Sequence, residues 1–201
     1  MGVGENKVNV PCVMLQIYDN NMNDALAAEW DNLPEECQKG LKAKYGKASI
    51  RSMLANLNRG IAMMDTLEKA GNAHGIDAAL LAAIALKESN FINKAEVDGA
   101  GVGVGIFQIT VSAKTGVTAN QASDPAWAAN WAAKYLSSNM AIVAAKHPNF
   151  TGDVLLQATA ASFNLGPNNF NGNPATIDVG SNGTPTNGYG ANVLQLMECF
   201  Q

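Results

Sequence analysis

The sequence has few charged residues and no long apolar run. Asp, Glu, Lys and Arg make up 15% of the 201 residues, and the formal net charge is −4. Because positive charge is not in excess, there is no electrostatic case for binding nucleic acid or an anionic membrane. No apolar stretch is long enough to span a bilayer, and the first residues resemble no signal peptide. The apolar fraction of 47% is ordinary for one globular domain.

Cysteine and histidine are scarce as well. Cys12, Cys37 and Cys199 lack the spacing of metal ligands, and His74 and His147 have no nearby partners, so we expect no metal and no cofactor. One disulfide would leave one cysteine unpaired. A Cys37–Cys199 bridge would fasten the start of the domain to its last helix and indicate an oxidising compartment. A Cys12–Cys37 bridge and three reduced thiols are the alternatives.

Helical patterns fill most of the chain. Pro34 and Ser49 are expected to start two helices, the second with an apolar stripe over 50–67. Further helices are predicted over 76–91, from Pro125 to just before Pro148, over 153–164 and from Tyr189 onward. Three aromatic residues of the helix that begins at Pro125 recur at steps of four, and core packing is favoured for them over sugar stacking: Trp127, Trp131 and Tyr135.

Glu88 lies on the apolar side of the predicted helix over 76–91. It comes seven residues after Leu81 and four after Ile84, so it points toward the same face as they do. Partial burial and the negative end of the helix dipole both raise the pKa of a carboxyl group. A general acid must keep its proton near neutral pH, so the placement suits a proton donor.

A glycine ladder follows Glu88. Every second residue from Gly99 to Gly105 is glycine, and the stretch runs into an apolar segment that contains Gln108. Alternating glycine leaves one face of an extended ribbon without side chains, which lets a ligand approach the backbone closely. The pattern favours a ribbon beside a binding cleft over a flexible linker.

Four motifs in order resemble the goose-type lysozyme and lytic transglycosylase superfamily. The family pattern is E-S, then G-L-M-Q, then A-Y-N-A-G-P, then a late tyrosine. The corresponding stretches here are Glu88-Ser89, Gly105-Ile106-Phe107-Gln108, Ser162-Phe163-Asn164-Leu165-Gly166-Pro167, and Tyr189. The chain departs from the family at Phe163, where tyrosine is usual, and at Thr110, where goose-type enzymes tend to carry aspartate.

The resemblance implies a role for each matching residue. Glu88 is expected to be the general acid/base, and Tyr189 is expected to hold it. Gln108 and Asn164 are expected to position sugar or acid in the cleft, and Ser89 and Gly105 are assigned to substrate binding as parts of the same motifs.

The resemblance also implies a substrate and a reaction. The substrate is the glycan strand of peptidoglycan, cut at the β-1,4 bond from N-acetylmuramic acid to N-acetylglucosamine. We expect a hydrolytic muramidase with Asp98 as the second carboxylate, or Glu96 as the weaker candidate. The alternatives are a lytic transglycosylase, which needs one glutamate and leaves 1,6-anhydro ends, a chitinase, and a catalytically silent glycan-binding module.

The expected architecture is mainly α (α+β), with a lysozyme-like fold and a small β-ribbon beside the active-site cleft. Residues 1–75 are predicted to form a helical region that packs on a catalytic core at 76–201. Because no signal peptide is visible, we expect a secreted or periplasmic protein delivered by other means, such as a phage lysis module or a secreted toxin effector. An inhibitory immunity protein is the partner expected for an effector, and we expect no nucleic-acid partner and no membrane insertion.

Overall fold

A central apolar helix organises the fold. The computed structural model describes residues 12–98, 101–113, 115–170, 172–178 and 188–201. The helices of this described part are α1 Cys12–Asp31, α2 Glu35–Tyr45, α3 Ile50–Ile61, α4 Met64–His74, α5 Ala78–Ser89, α6 Ala119–Ser123, α7 Pro125–Lys146, α8 Gly152–Leu165 and α9 Tyr189–Met197. A short 3-10 helix covers Pro174–Thr176. The predicted mainly helical architecture is therefore confirmed.

Helix α5 is the central element because its sequence is almost entirely alanine, leucine and isoleucine. The Asp77 side chain accepts a hydrogen bond from the Ala79 amide and begins the helix, as the sequence predicts. Every residue from Ala79 to Leu86 is buried, and the helix packs against α4 and α9. A helix that is apolar on all sides is stable only when neighbours surround it, and these helices provide that cover.

Gly101–Val104 of the glycine ladder forms the middle strand of a small antiparallel sheet, and Gly99 lies outside the described residues. The strands of the sheet are β1 Ala95–Asp98, β2 Gly101–Val104 and β3 Ile109–Val111, in the order β1-β2-β3. Glu96 pairs with Gly103, and Val104 pairs with Ile109. This sheet is the predicted ribbon, and it follows α5 directly in the chain.

The helices before residue 76 share their core with the rest of the fold. Leu41 and Leu54 belong to the same buried cluster as Leu80 and Leu196. A disulfide joins Cys37 of α2 to Cys199, just after α9. The division at residue 75 stays a prediction, whereas the packing of the described residues joins the two parts into one body.

The sequence predicted that the apolar stripe over 50–67 lies on one helix. This prediction is wrong, because the stripe lies on two helices. The chain leaves the helix after Ile61 and begins α4 at Met64, so the stripe is divided between two helices. Leu57 and Leu67 are buried, but Ile50 and Ile61 at the ends of α3 are exposed. An unbroken periodic pattern therefore concealed a helix break. None of the helices in the described residues combines the length and apolar character needed to cross a bilayer.

Candidate active site

Glu88 stands at the edge of a cleft between the end of α5, the sheet and the end of α8. The cleft has a volume of about 590 Å³. It is lined by Glu88, Glu96, Val97, Gly103, Gln108, Thr110, Phe163 and Asn164. Glu88 is the penultimate residue of α5, so the buried body of that helix fixes where its carboxyl group lies.

Burial raises the pKa of the Glu88 carboxyl group above its ordinary value. The Tyr189 hydrogen bond and the ammonium groups of Lys44 and Lys87 act in the opposite direction, and the Glu96 carboxylate adds to the increase. Because burial is the largest contribution, the group holds its proton to a higher pH than an exposed glutamate does. This is the property expected of a general acid.

Tyr189 holds the acid from the opposite side. Its phenol donates a hydrogen bond of 2.5 Å to Oε1 of Glu88, and its ring is buried. Burial and the neighbouring carboxylate raise the pKa of the Tyr189 phenol well above its ordinary value, so it remains a donor to a higher pH than an exposed tyrosine does. Oε2 of Glu88 has no hydrogen-bond partner among the described residues, and the Glu88 side chain lines the cleft.

Asp178 fixes the start of α9, and no sequence motif indicated this role. Its carboxylate accepts hydrogen bonds from the amides of Gly190 at 2.5 Å and Ala191 at 3.0 Å. It also accepts one from Nε2 of Gln157 on α8, at 2.8 Å. A carboxylate at a helix N-terminus is favourable, and here it sets the position of Tyr189, the first residue of α9. The contact with Gly190 joins residues twelve apart in the chain, so no short-range pattern predicts it.

Gln108 lines the cleft with its amide held by the backbone. Nε2 donates to the carbonyl of Gly105 at 2.8 Å and to that of Lys94 at 3.2 Å. Its Oε1 has no hydrogen-bond partner in the part of the chain that is described, so it is free to accept one from a ligand. The backbone of Gln108 has a φ of 46°, which only a tightly determined loop imposes on a residue with a side chain.

Gly105 shapes this loop, and the substrate-binding role expected of it stays a prediction. Its φ is 80°, and a Cβ atom would lie 1.9 Å from the carbonyl oxygen of Ala122. Its carbonyl oxygen accepts from Gln108, and its amide donates to the Lys94 carbonyl at 2.9 Å. Glycine is required here by close approach of the backbone to α6 and by the left-handed conformation.

Ser89 also supports this loop, and the substrate-binding role expected of it stays a prediction. Its side chain is buried, and its hydroxyl donates to the carbonyl of Ile106 at 2.7 Å. The serine therefore ties the end of α5 to the loop that carries Gln108 and does not face the cleft.

The remaining predicted site residues are Asn164 and Asp98. Asn164 is exposed in the last turn of α8 and lines the cleft opposite the sheet. The backbone of Asp98 ends β1, but its side chain lies outside the described residues. Glu96, the weaker candidate for a second carboxylate, lines the cleft and forms an ion pair with Lys94.

A smaller aromatic pocket continues the cleft. It has a volume of about 230 Å³ and shares Gln108, Thr110 and Phe163 with the cleft itself. Trp131 and Tyr135 form its wall, with their rings stacked at 5.1 Å and 14°. Both rings are half-buried, and Trp131 also packs against the core, so the expected core role holds for only part of this aromatic row.

The comparisons with known proteins agree with this geometry. The family model described as the transglycosylase SLT domain matches residues 65–175, more than half of the chain. Glu88, Gln108 and Asn164 lie inside the match, whereas Tyr189 and the helices α1 to α3 lie outside it. No curated protein gives a significant match to the chain. The family match confirms the resemblance, and three of the four sequence motifs lie within it.

Proposed function

The chain belongs to the transglycosylase SLT domain family, whose members are lytic transglycosylases, and we propose that it cleaves peptidoglycan with Glu88 as the catalytic acid. The bond cut is the β-1,4 bond from N-acetylmuramic acid to N-acetylglucosamine. One observation carries the proposal. Glu88 lies between a cleft and the Tyr189 phenol, and burial raises its pKa.

In the first step, Glu88 gives its proton to the glycosidic oxygen as the bond from that oxygen to the anomeric carbon breaks. Because Tyr189 occupies Oε1, the proton is carried on Oε2. The phenol hydrogen bond favours the carboxylate that remains, so it assists the departure of the proton. The placement of the proton on Oε2 and the stabilisation of the carboxylate by the phenol both act on the transition state rather than on substrate binding.

In the second step, the 6-hydroxyl group of the muramic residue attacks the anomeric carbon and returns its proton to Glu88. The product is a 1,6-anhydro end, no water is consumed, and the enzyme regains its starting state. This route needs one carboxyl group that acts first as acid and then as base. Glu88 is the carboxyl group among the described cleft residues that has no ion-pair partner.

Hydrolysis is the second candidate reaction, and the position of Glu96 supports it. An inverting hydrolase needs a second carboxylate roughly 6.5 to 9.5 Å from the acid to activate water. Glu96 lines the same cleft as Glu88, and Asp98 remains a proposal for the same role. The sequence favoured hydrolysis, but we now favour the transglycosylase reaction, because Glu96 forms an ion pair with Lys94 and Thr110 occupies the position at which goose-type enzymes tend to carry aspartate.

We assign substrate contacts to Gln108 and Asn164. The free Oε1 of Gln108 can accept a hydrogen bond from a sugar hydroxyl or from an N-acetyl N–H group. Asn164 presents its amide from the other wall of the cleft. Held by two backbone carbonyls, Gln108 binds without first having to become ordered, which lowers the entropic cost of binding.

Delivery to the cell wall is part of the proposal. The disulfide between Cys37 and Cys199 is consistent with an oxidising compartment such as the periplasm or the exterior of the cell. An inhibitory immunity protein would then cover the cleft in cells that produce the enzyme. Co-purification of such a protein, and its loss when the cleft is altered at Asn164, would test this part of the proposal.

The test of the reaction is mass spectrometry of muropeptides released from purified peptidoglycan. Products lighter by one water than reducing muropeptides indicate 1,6-anhydro ends and the transglycosylase reaction. Reducing muramic ends would instead establish hydrolysis, and the Glu96→Gln and Asp98→Asn variants would then identify the base. No release from several wall types would refute enzymatic cleavage and favour a silent binding module, and cleavage of chitin oligomers alone would indicate a chitinase.

A further inference from the structure

We propose that Lys44 is a positioning residue for Glu88, contributed by a helix outside the segment that matches the family. Lys44 lies near the end of α2, and the match begins at residue 65. The inference rests on the proposed role of Glu88 as the catalytic acid. The inference assigns part of the active site to the N-terminal helical region, which was expected only to pack on the catalytic core.

The contact that carries the inference is a hydrogen bond to the end of the catalytic helix. The Lys44 ammonium donates to the carbonyl oxygen of Lys87 at 2.8 Å. That carbonyl group forms the peptide bond to Glu88, so Lys44 holds the backbone next to the acid. The last carbonyl groups of a helix have no intrahelical donors, and a cation near them is favourable because the helix end is negative.

Neighbouring residues of the same region hold the turn that follows Glu88. The Tyr45 hydroxyl donates to Oδ1 of Asn90 at 2.9 Å, and Nε of Arg59 donates to the Asn90 carbonyl at 3.1 Å. Asn90 ends α5 in the left-handed conformation, with a φ of 59°. Lys44 therefore acts within a set of contacts that fixes the end of α5.

Helix α2 is itself firmly attached, so it can serve as a reference for the position of the acid. The disulfide fastens it at Cys37, and the Gly40 carbonyl accepts a hydrogen bond of 2.9 Å from Nδ2 of Asn192 on α9. Oδ1 of Asn192 accepts in turn from the Lys87 ammonium at 2.6 Å. The helix that bears Tyr189 and the helix that bears Lys44 are thus joined to each other and to α5.

The charge of Lys44 matters as well as its hydrogen bond. Its ammonium is partly buried and forms no ion pair within the described residues, which is costly unless it has another role. Burial lowers the pKa of Lys44 to about 8, with repulsion from Lys87 and Lys94 as smaller causes and attraction to Glu88 opposing them. In return, Lys44 lowers the pKa of Glu88.

This charge balances the two tasks of the acid. Burial and Glu96 favour the protonated form of Glu88 that begins the reaction, whereas Tyr189, Lys44 and Lys87 favour the carboxylate form. The carboxylate must exist long enough to take the proton in the second step. Without the Lys44 ammonium, we expect the carboxyl group to be less precisely placed and to bind its proton too tightly.

The test compares three variants of the full chain. Lys44→Met removes the charge and the donor, Lys44→Arg keeps both, and Lys47→Met removes an exposed lysine from the turn after α2 as a matched control. The first readout is the Glu88 midpoint from a carboxyl-carbon NMR titration. We expect the Glu88 midpoint to shift upward in Lys44→Met and to stay unchanged in Lys47→Met. In Lys44→Arg we expect a midpoint close to that of the wild type.

The second readout is the pH profile of cleavage. In Lys44→Met we expect kcat to fall about tenfold, since small misplacement of a catalytic group costs at least that much, with KM nearly unchanged and the alkaline limb at higher pH. A Lys44→Met variant with the midpoint and kcat of the Lys47→Met control would overturn the inference. A folded variant whose KM rises while kcat and the midpoint stay constant would also overturn it.

The two readouts separate this inference from the proposed function. If the wild type releases no muropeptides, the proposed function fails, but the NMR titration still decides whether Lys44 controls Glu88. If Lys44→Met does not fold, Lys44→Gln takes its place as a neutral side chain that keeps a donor. An unshifted Glu88 midpoint in folded Lys44→Gln would then contradict the inference.

Discussion

Replacing Tyr189 with phenylalanine removes one hydroxyl group from the site and little else. The phenol donates to Oε1 of Glu88 at 2.5 Å, and the ring itself is buried at the start of α9. Phenylalanine keeps the ring, so α9 and its contacts with Asp178 remain in place. We expect the acid to lose the donor that both orients it and stabilises its carboxylate form.

The size of the effect follows from the kind of hydrogen bond that is lost. A hydrogen bond to a charged group contributes about 1.5 to 3 kcal/mol. The phenol contributes most after the proton has left Glu88, so the loss falls on the transition state. We therefore expect kcat to drop about 10- to 150-fold with KM nearly unchanged. Because the phenol lowers the pKa of Glu88, its removal shifts the alkaline limb of the pH profile upward.

The assay is release of soluble muropeptides from purified peptidoglycan between pH 4 and 9. Thermal unfolding of the variant is the control for folding, and we expect a change of a few degrees at most. The double variant Glu88→Gln with Tyr189→Phe should be no less active than Glu88→Gln alone, because the phenol acts through the acid. Wild-type kcat and an unchanged alkaline limb in Tyr189→Phe would refute the role given to this contact.

Three further predictions concern the aromatic pocket, the glycine loop and the stability cost of the acid. Trp131→Ala should raise KM for long glycan strands about 2- to 12-fold with kcat nearly unchanged, since a stacked ring contributes about 0.5 to 1.5 kcal/mol. Equal KM values for the variant and the wild type would mean that Trp131 only packs the core. Gly105→Ala should unfold at a temperature several degrees lower than Gly116→Ala. Both glycines have a positive φ, but a Cβ atom at 105 meets the Ala122 carbonyl whereas one at 116 meets open space. Similar melting temperatures would contradict the close packing described for Gly105. Glu88→Gln should be more stable than the wild type at neutral pH and equally stable below about pH 4, as measured by thermal unfolding. The wild type is the less stable protein at neutral pH because the folded-state pKa of Glu88 is raised above the ordinary value of 4.5, so ionising Glu88 costs stability as the pH rises above that value. A stability difference between the two proteins that is constant with pH would show that burial does not penalise the charge.

Local patterns in the sequence were sufficient to predict most of the helices. Asp77 caps α5 as expected, and Tyr189 opens α9, because capping and periodicity are properties of a few neighbouring residues. The break between α3 and α4 was not predicted, since both sides of it continue the same apolar stripe. A stripe shows which face is buried and not whether the helix is continuous.

The site was predicted in part. Glu88 and Tyr189 are 101 residues apart, and the motif order of the family, rather than any local pattern, indicated that they meet. The same motifs assigned Ser89 and Gly105 to the substrate. In the structure the Ser89 hydroxyl donates to the Ile106 carbonyl, and the Gly105 carbonyl accepts from Nε2 of Gln108. A motif records that a residue type is needed at a position and does not record whether it serves the ligand or the loop.

Contacts between distant segments could not be predicted. The Lys44 bond to the Lys87 carbonyl joins residues 43 apart on different helices, and no single-sequence pattern indicates it. Asp178 similarly accepts a hydrogen bond from Gly190 in α9, twelve residues further along the chain. Both contacts support the residues that hold Glu88, so the arrangement behind the acid becomes visible only when the helices are packed.

The most direct measurement is a side-by-side digestion of purified peptidoglycan by the wild type and by Glu88→Gln, with the soluble products identified by mass spectrometry. Glutamine keeps the shape of the side chain and an oxygen for the Tyr189 phenol but has no proton to give. We expect muropeptides with 1,6-anhydro ends from the wild type and none above background from a folded Glu88→Gln variant. Equal release by the two proteins would contradict the assignment of Glu88 as the catalytic acid.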